Sequence, residues 1–321
     1  MTTSLERIVV LKNPVAKNGH VGNRQLTDLR NFLGLPSVTV TTSIDRDETI
    51  DSLGILEPTD LLYVIGGDGT VNQTIPSLVS SGAVLLPTRS GNANDLARSL
   101  NGKMEPWQVF QRLGEHGVRP EEVRPIQVDI TDIVTGLQSS GFAINYASFG
   151  YAALASDYIN TPWAEGLVKR LYDAAPRQVQ KGMRLPREGS MLLRAANDIT
   201  PFVISITNRQ PKFEAKAVDI SVTHSPRMAK LGRFPISHMS DEMLFSHLSE
   251  AGKGAMLRQF ILMMFGKMKV EPIADISFDL SAGAHEHGMM YQVDGEAAKL
   301  PNNCHINIRL SDASVKALVT R

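Results

Sequence analysis

Only one cysteine, Cys304, occurs in the 321 residues. No disulfide can close within the chain, and a reducing compartment is expected. In its C-terminal strand-like run the thiol reads as a small core hydrophobe rather than a nucleophile. Charge of one sign is also missing. Lys+Arg and Asp+Glu both number 33, which removes the basic footprint of a nucleic-acid binder. Long hydrophobic runs are absent. Ile8-Val9-Val10-Leu11 is too short for a signal-peptide core. Residues 259–266, closed by Arg258 and Lys267, fall far short of the ~20 needed to cross a bilayer. A protein of this kind acting on lipids visits the membrane without spanning it. Internal repeats and low-complexity segments are missing too.

Familiar ligand motifs fail as well. No G-x-x-x-x-G-K-[ST] occurs, and G-x-G-x-x-G breaks where Asn72 replaces the last glycine. His285-Glu286-His287 lacks the spacing of a helical zinc pair. Asp45-Arg46-Asp47 opens like a calcium loop, but Ile50 holds the glycine position.

What remains is an ordinary globular composition, 42% hydrophobic and 21% charged, long enough for two domains. The first part alternates strand and helix signals. Strands are expected at 7–12, 38–41, 61–65 and 83–86, and helices at 25–33 and 94–100. Short apolar strands separated by helices predict a parallel α/β sheet. Beyond about residue 122 the runs 127–134, 202–207, 217–222, 273–280 and 305–310 predict an antiparallel β domain. Two apolar segments interrupt it, 164–180 and 255–268. The second carries Met263, Met264 and Met268 and reads as a core helix, a lipid-facing surface being the weaker reading.

The strongest local signal is Gly66-Gly67-Asp68-Gly69-Thr70, directly after the strand ending at Ile65 and followed by Val71-Asn72. Glycines at a strand-to-helix switch let backbone N–H groups approach a phosphate with no Cβ in the way. Thr70 adds a hydroxyl, and Asp68 can hold Mg²⁺. A second block, from Leu86 through Arg89, Gly91, Asn92, Asn94 and Asp95 to Leu100, follows the next strand. Two such loops at neighbouring strand ends form a crevice of the kind that binds ligands in open α/β sheets. Arg89 offers a guanidinium to a phosphate, and Asn94-Asp95 reads as a helix-capping pair.

These two blocks resemble the diacylglycerol kinase catalytic domain family, which includes bacterial lipid kinases and is related to sphingosine and ceramide kinases. Asn13-Pro14, Val128-Asp129-Ile130, Asn145-Tyr146-Ala147-Ser148-Phe149-Gly150 and Val293-Asp294-Gly295-Glu296 continue the match. The resemblance implies a nucleotide-binding domain at 1–122 with the fold of phosphofructokinase and NAD kinase relatives. It implies a β-sandwich-like lipid domain at 123–311, and a tail at 312–321 packed back on the first domain. ATP would be the donor, with Mg²⁺. Nucleotide would meet Asn13, Gly66, Gly67, Gly69, Thr70, Asn72, Arg89, Gly91, Asn92 and Asn94. Asp68, Asp95 and Asp129 would gather around Mg²⁺, and Asp294 and Glu296 would sit near the acceptor hydroxyl.

The chain departs from the pattern in two places. Asn92 stands where the family has Thr, with two extra residues before Gly91. Ser240-Asp241-Glu242 stands where a second metal site would use Asp-Asp-Gly.

Phosphoryl transfer needs a held phosphate, neutralised charge and an oriented nucleophile. A carboxylate that takes the proton of the lipid alcohol is therefore expected. Asp294 is the first candidate, and Asp68 competes with it. The expected protein is a cytoplasmic lipid kinase, peripheral at the inner membrane surface, with a sheet edge open to dimerisation. A NAD kinase-like enzyme and a non-catalytic lipid-binding protein on the same fold are the competing readings.

Overall fold

The computed structural model describes residues 5–16, 18–42, 46–91, 94–116, 120–160, 190–199, 201–206, 213–228, 232–237, 239–249, 254–255, 258, 262–263, 265–281 and 289–320. Asn92, residues 164–180, His285-Glu286-His287 and, within 255–268, residues 256–257, 259–261 and 264 lie outside them.

The chain opens as β1 (Arg7–Lys12), α1 (Gly19–Leu33), β2 (Ser37–Thr41), α2 (Arg46–Ser52) and β3 (Asp60–Ile65). It continues through α3 (Asp68–Asn72), α4 (Ile75–Ser81), β4 (Val84–Pro87), α5 (Asp95–Asn101), α6 (Pro106–His116) and β5 (Glu121–Val123). β1 pairs in parallel with β2 and β3, and β3 with β4.

A parallel sheet must bury both faces, and β3 does so at every residue. Leu61, Tyr63 and Ile65 pack with Leu26 and Leu29 of α1 and Val109 and Phe110 of α6. Leu62 and Val64 pack with Val71, Ile75, Leu78, Leu96 and Leu100 on the opposite side. The helices on that second side are the ones that carry the two glycine loops. α1 begins six residues before the expected helix, ahead of its first strongly apolar turn, and ends at Gly34 in the left-handed region.

The second half contains β6 (Ile126–Asp132), β7 (Gln138–Ala143), β8 (Tyr146–Gly150), α7 (Tyr151–Asn160), β9 (Phe202–Ile206) and β10 (Phe213–Thr223). Then come β11 (Arg227–Met228), β12 (Gly232–Arg233), β13 (Met243–Ser249), β14 (Glu271–Ile273) and β15 (Asp275–Ser281). A hairpin of β16 (Met289–Val293) and β17 (Glu296–Leu300) precedes β18 (Asn303–Leu310) and β19 (Val315–Ala317).

All strands from β6 to β18 except the small β11–β12 pair join one antiparallel sheet, running β17-β16-β8-β10-β9-β15-β18-β6-β7 with β13 and β14 branching from β10. β10 changes neighbours at Ala217, where its register with β13 shifts. Such a switch folds a sheet over itself, and the inward residues of its strands share a single core. In β18 the alternation is plain: Cys304, Ile306, Ile308 and Leu310 are buried between more exposed neighbours. Cys304 is fully buried, and burial pushes its thiol up to about 12.

β19 returns to the first sheet, parallel to β4 and antiparallel to β5. The expected α/β domain followed by an antiparallel β domain is the fold observed. Of the methionine-bearing segment, Met263 and Met268 pack with Tyr146, Met228, Phe234 and Leu244, while Phe265 is exposed.

Candidate active site

β3 and β4 end side by side, and the loops that leave them touch. A Cβ placed on Gly91 would stand 2.2 Å from the Gly67 Cα, so the two loops pack backbone against backbone and only glycine fits. Asn94 staples the second loop. Its Oδ1 accepts the Gly91 N–H at 2.6 Å and its Nδ2 donates to the Gly91 carbonyl at 3.1 Å. Asn94 holds the left-handed region, φ 57°, at the entry to α5, a conformation asparagine tolerates better than most residues.

The expected side-chain cap of α5 by Asn94-Asp95 does not form. Asn94 makes no capping bond with its side chain, because its amide is engaged with Gly91. Asp68 does the capping from the neighbouring loop: its carboxylate accepts the N–H groups of Asp95 at 3.1 Å and Leu96 at 3.0 Å. Burial raises the pKa of Asp68, against the lowering effect of these backbone donors. Asn13 donates to Thr70 Oγ1 at 3.0 Å, joining the end of β1 to α3. A Cβ on Gly66 would strike Thr70.

The second domain enters through α3. Asn72 donates to Asp294 Oδ2 at 2.9 Å and also to the Phe142 carbonyl. Asp294 and Gly295 form the two-residue turn of the β16–β17 hairpin, both with positive φ (50° and 90°), as an Asp-Gly hairpin turn requires. The Asp294 carboxylate is buried. Oδ2 also accepts the Ile144 N–H at 2.6 Å, and Oδ1 accepts Asn145 at 2.8 Å and Tyr146 at 3.1 Å. Burial pushes Asp294 up to about 6, although all four donors pull the other way. Two residues on, Glu296 lies against α3, so close that a Cβ on Gly69 would be 2.2 Å from its Oε1.

The structure thus brings together Asn13, Gly66, Gly67, Asp68, Gly69, Thr70, Asn72, Gly91, Asn94, Asp95, Asp294 and Glu296. It does not bring Arg89 to the glycine loops: its guanidinium donates to the Lys103 carbonyl at 2.9 Å. The expected acidic triad does not assemble either. Asp129, on β6, accepts from Gln127 and from Ser140 at 2.6 Å and faces Arg309 at 4.0 Å. Among the described residues no three His, Cys, Asp or Glu side chains converge on a metal position. Ser240, where the family would have its second metal site, instead accepts the Glu242 N–H on its hydroxyl, and its carbonyl faces His224.

The Ile144–Tyr146 backbone donors escape sequence reasoning, because a main-chain N–H leaves no mark in the residue types.

Residues 7–125 match the diacylglycerol kinase catalytic domain. This stretch spans β1 to β5 and holds both glycine loops, so the resemblance read from the motifs is borne out. No curated protein sequence matches the chain.

Among solved structures, a diacylglycerol kinase from Bacillus anthracis str. Sterne aligns over 100% of this chain and 98% of its own, with TM-score 0.64 at 15% identity. A yeast NADH kinase complexed with NADH aligns over 99% of this chain and 84% of its own, with TM-score 0.56 at 11% identity. At these identities the likeness establishes the fold. The α/β domain and the β domain meet where Asn72 and Gly69 receive the Asp294–Glu296 hairpin turn. No helix among the described residues is long and apolar enough to cross a membrane.

Proposed function

We propose that this chain is an ATP-dependent lipid kinase that transfers the γ-phosphate to the hydroxyl of a diacylglycerol-like lipid at the inner membrane surface. The observation that carries this is the contact of the two glycine loops, Gly67 against Gly91, with the Asp294–Glu296 hairpin turn docked on the same short helix. The crevice offers backbone N–H groups with no Cβ in the way, and Asn13 and Thr70 line its first loop.

Asp68 and Asp95, both buried beside the loops, fit Mg²⁺, which takes one or two carboxylates plus substrate phosphates. The ion would supply charge neutralisation for the transferred phosphoryl group. Asp129 stands outside this reading.

The proton acceptor is Glu296. A carboxylate has about four lone-pair sites, and in Asp294 four N–H donors already occupy them. Asp68 accepts one α5 N–H on each oxygen, and its remaining lone pairs are the ones assigned to Mg²⁺. Glu296 is exposed and lies against Gly69 of the first loop. Asp294 serves it by fixing the turn.

The test is incubation with γ-labelled Mg-ATP and a panel of lipid alcohols in mixed micelles. NAD and a folded Asp68→Asn variant serve as controls. Label in a lipid, lost in the variant, supports the proposal. Label in NAD alone overturns it in favour of a nucleotide kinase. Lipid binding without turnover overturns it in favour of a binding protein.

A further inference from the structure

Behind the turn that carries Asp294 lies a second layer of side chains that the reaction steps above do not use. β10 ends at Thr223, and the chain bends through His224 and Ser225, all three buried. Thr223 Oγ1 donates to the Asn145 carbonyl at 2.9 Å. That carbonyl belongs to the peptide unit whose N–H, on Tyr146, donates to Asp294 Oδ1. His224 Nε2 stands 2.7 Å from the Ile144 carbonyl. That carbonyl belongs to the peptide unit whose N–H, on Asn145, donates to the same Oδ1. Two consecutive side chains feed two consecutive peptide units, and both units converge on one carboxylate oxygen.

The proton count supports these directions. Burial lowers the pKa of His224, so the ring is neutral and has one N–H to give. The Ile144 carbonyl is the nearer acceptor, the Ser240 carbonyl lying 3.3 Å from Nδ1. The Thr223 hydroxyl accepts the Ser225 N–H at 3.0 Å, and its single proton goes to Asn145 rather than to the Ser225 carbonyl at 3.2 Å. Hydrogen bonds in series polarise one another, by about 10–30% per bond. The corner is also tied to the kinase domain, because Ser225 Oγ lies 2.8 Å from Ser99 Oγ on α5. α5 is the helix that Asp68 caps.

We infer that Thr223 and His224 are positioning residues for the transfer: they fix and polarise the N–H groups that hold Asp294, and through its turn they set Glu296 against Gly69. The effect on rate rests on the kinase reading, whereas the effect on the amides does not.

The test uses the ¹⁵N-labelled full chain with Thr223→Val and His224→Leu, and with Thr223→Ser and His224→Gln as donor-keeping partners. In Thr223→Val the Tyr146 amide proton moves upfield, and in His224→Leu the Asn145 amide proton does. The Ser and Gln variants restore most of each shift. In the same preparations kcat for lipid phosphorylation falls between about 10- and 100-fold with KM for ATP unchanged, and the partners recover it. A role in stability alone would lower the melting temperature without this pairing of residue to amide.

Unmoved amides, or kcat within about twofold of wild type in both apolar variants, would overturn the inference. Should those variants fail to fold, Thr223→Ala and His224→Asn, which leave room for water, take their place under the same readouts. If the wild type labels no lipid, the kinase reading falls and the amide shifts alone decide.

Discussion

Asp294 and Glu296 are two residues apart and differ in burial: the Asp294 carboxylate is buried on four N–H donors, whereas Glu296 is exposed at the turn. Replacing Asp294 by Asn turns one oxygen into an N–H₂ group that faces existing N–H donors. A buried, charge-accepting network broken in this way costs about 2–3 kcal/mol, so Asp294→Asn should show a lowered denaturation midpoint. Glu296→Gln should leave stability within about 0.5 kcal/mol while kcat falls by at least about 10²-fold. Equal loss of kcat in both variants with no loss of stability in either would return Asp294 to the role of proton acceptor. Gly91→Ala tests the loops. The added Cβ meets Gly67 backbone, which cannot swing aside as a side chain would. ATP affinity, measured by calorimetry, should drop by about tenfold or more.

Among the elements, two helices are capped by carboxylates that come from elsewhere in the chain. Asp68 caps α5, and Asp219 of β10 accepts the Ala152 N–H in the first turn of α7 at 2.7 Å, with Ser221 donating to its other oxygen. Removing a cap of the Asp68 kind by Asp68→Ala should cost about 1–2 kcal/mol, read as a fall in unfolding free energy.

Burial pushes Asp219 up to about 6, above its ordinary value near 4. Between those values the folded protein keeps the proton that the unfolded chain has lost. The stabilising contribution is therefore complete below about pH 4 and disappears as pH rises through about 6. Relative to Asp219→Asn, wild type should lose up to about 3 kcal/mol over that window. A difference between the two proteins that is flat from pH 4 to 6.5, measured by denaturant titration, would refute this.

The whole molecule is closed by its last strand. β19 fills the gap between β4 and β5, and Val315, Ala317 and Leu318 are fully buried there. A chain ending at Ser311 would expose that slot and forfeit the burial of Val315, Leu318 and Val319, worth about 5 kcal/mol. That is comparable with the whole stability of an ordinary domain. The shortened chain should lack a cooperative thermal transition by circular dichroism, even with residues 7–125 intact.

The sequence by itself determined the parts that depend on local pattern. Apolar strands at 61–65 and 83–86, each leaving into a glycine-bearing loop, announced a parallel α/β unit and a phosphate-type crevice, because periodicity and glycine placement are local properties. The hairpin turn at Asp294-Gly295 is equally local, because an Asp-Gly pair suits two successive residues with positive φ. The tertiary structure alone decided which groups those loops would meet. Asp68 became the cap of α5 only because β3 and β4 end side by side, Asp129 was drawn away to Ser140 and Arg309 by the pairing of β6, and Arg89 turned to Lys103. Asp294 acquired its four donors from main-chain N–H groups about 150 residues earlier in the chain and from Asn72 of the other domain. No residue type encodes a backbone donor, so the saturation of the Asp294 carboxylate became visible only once the chain had folded.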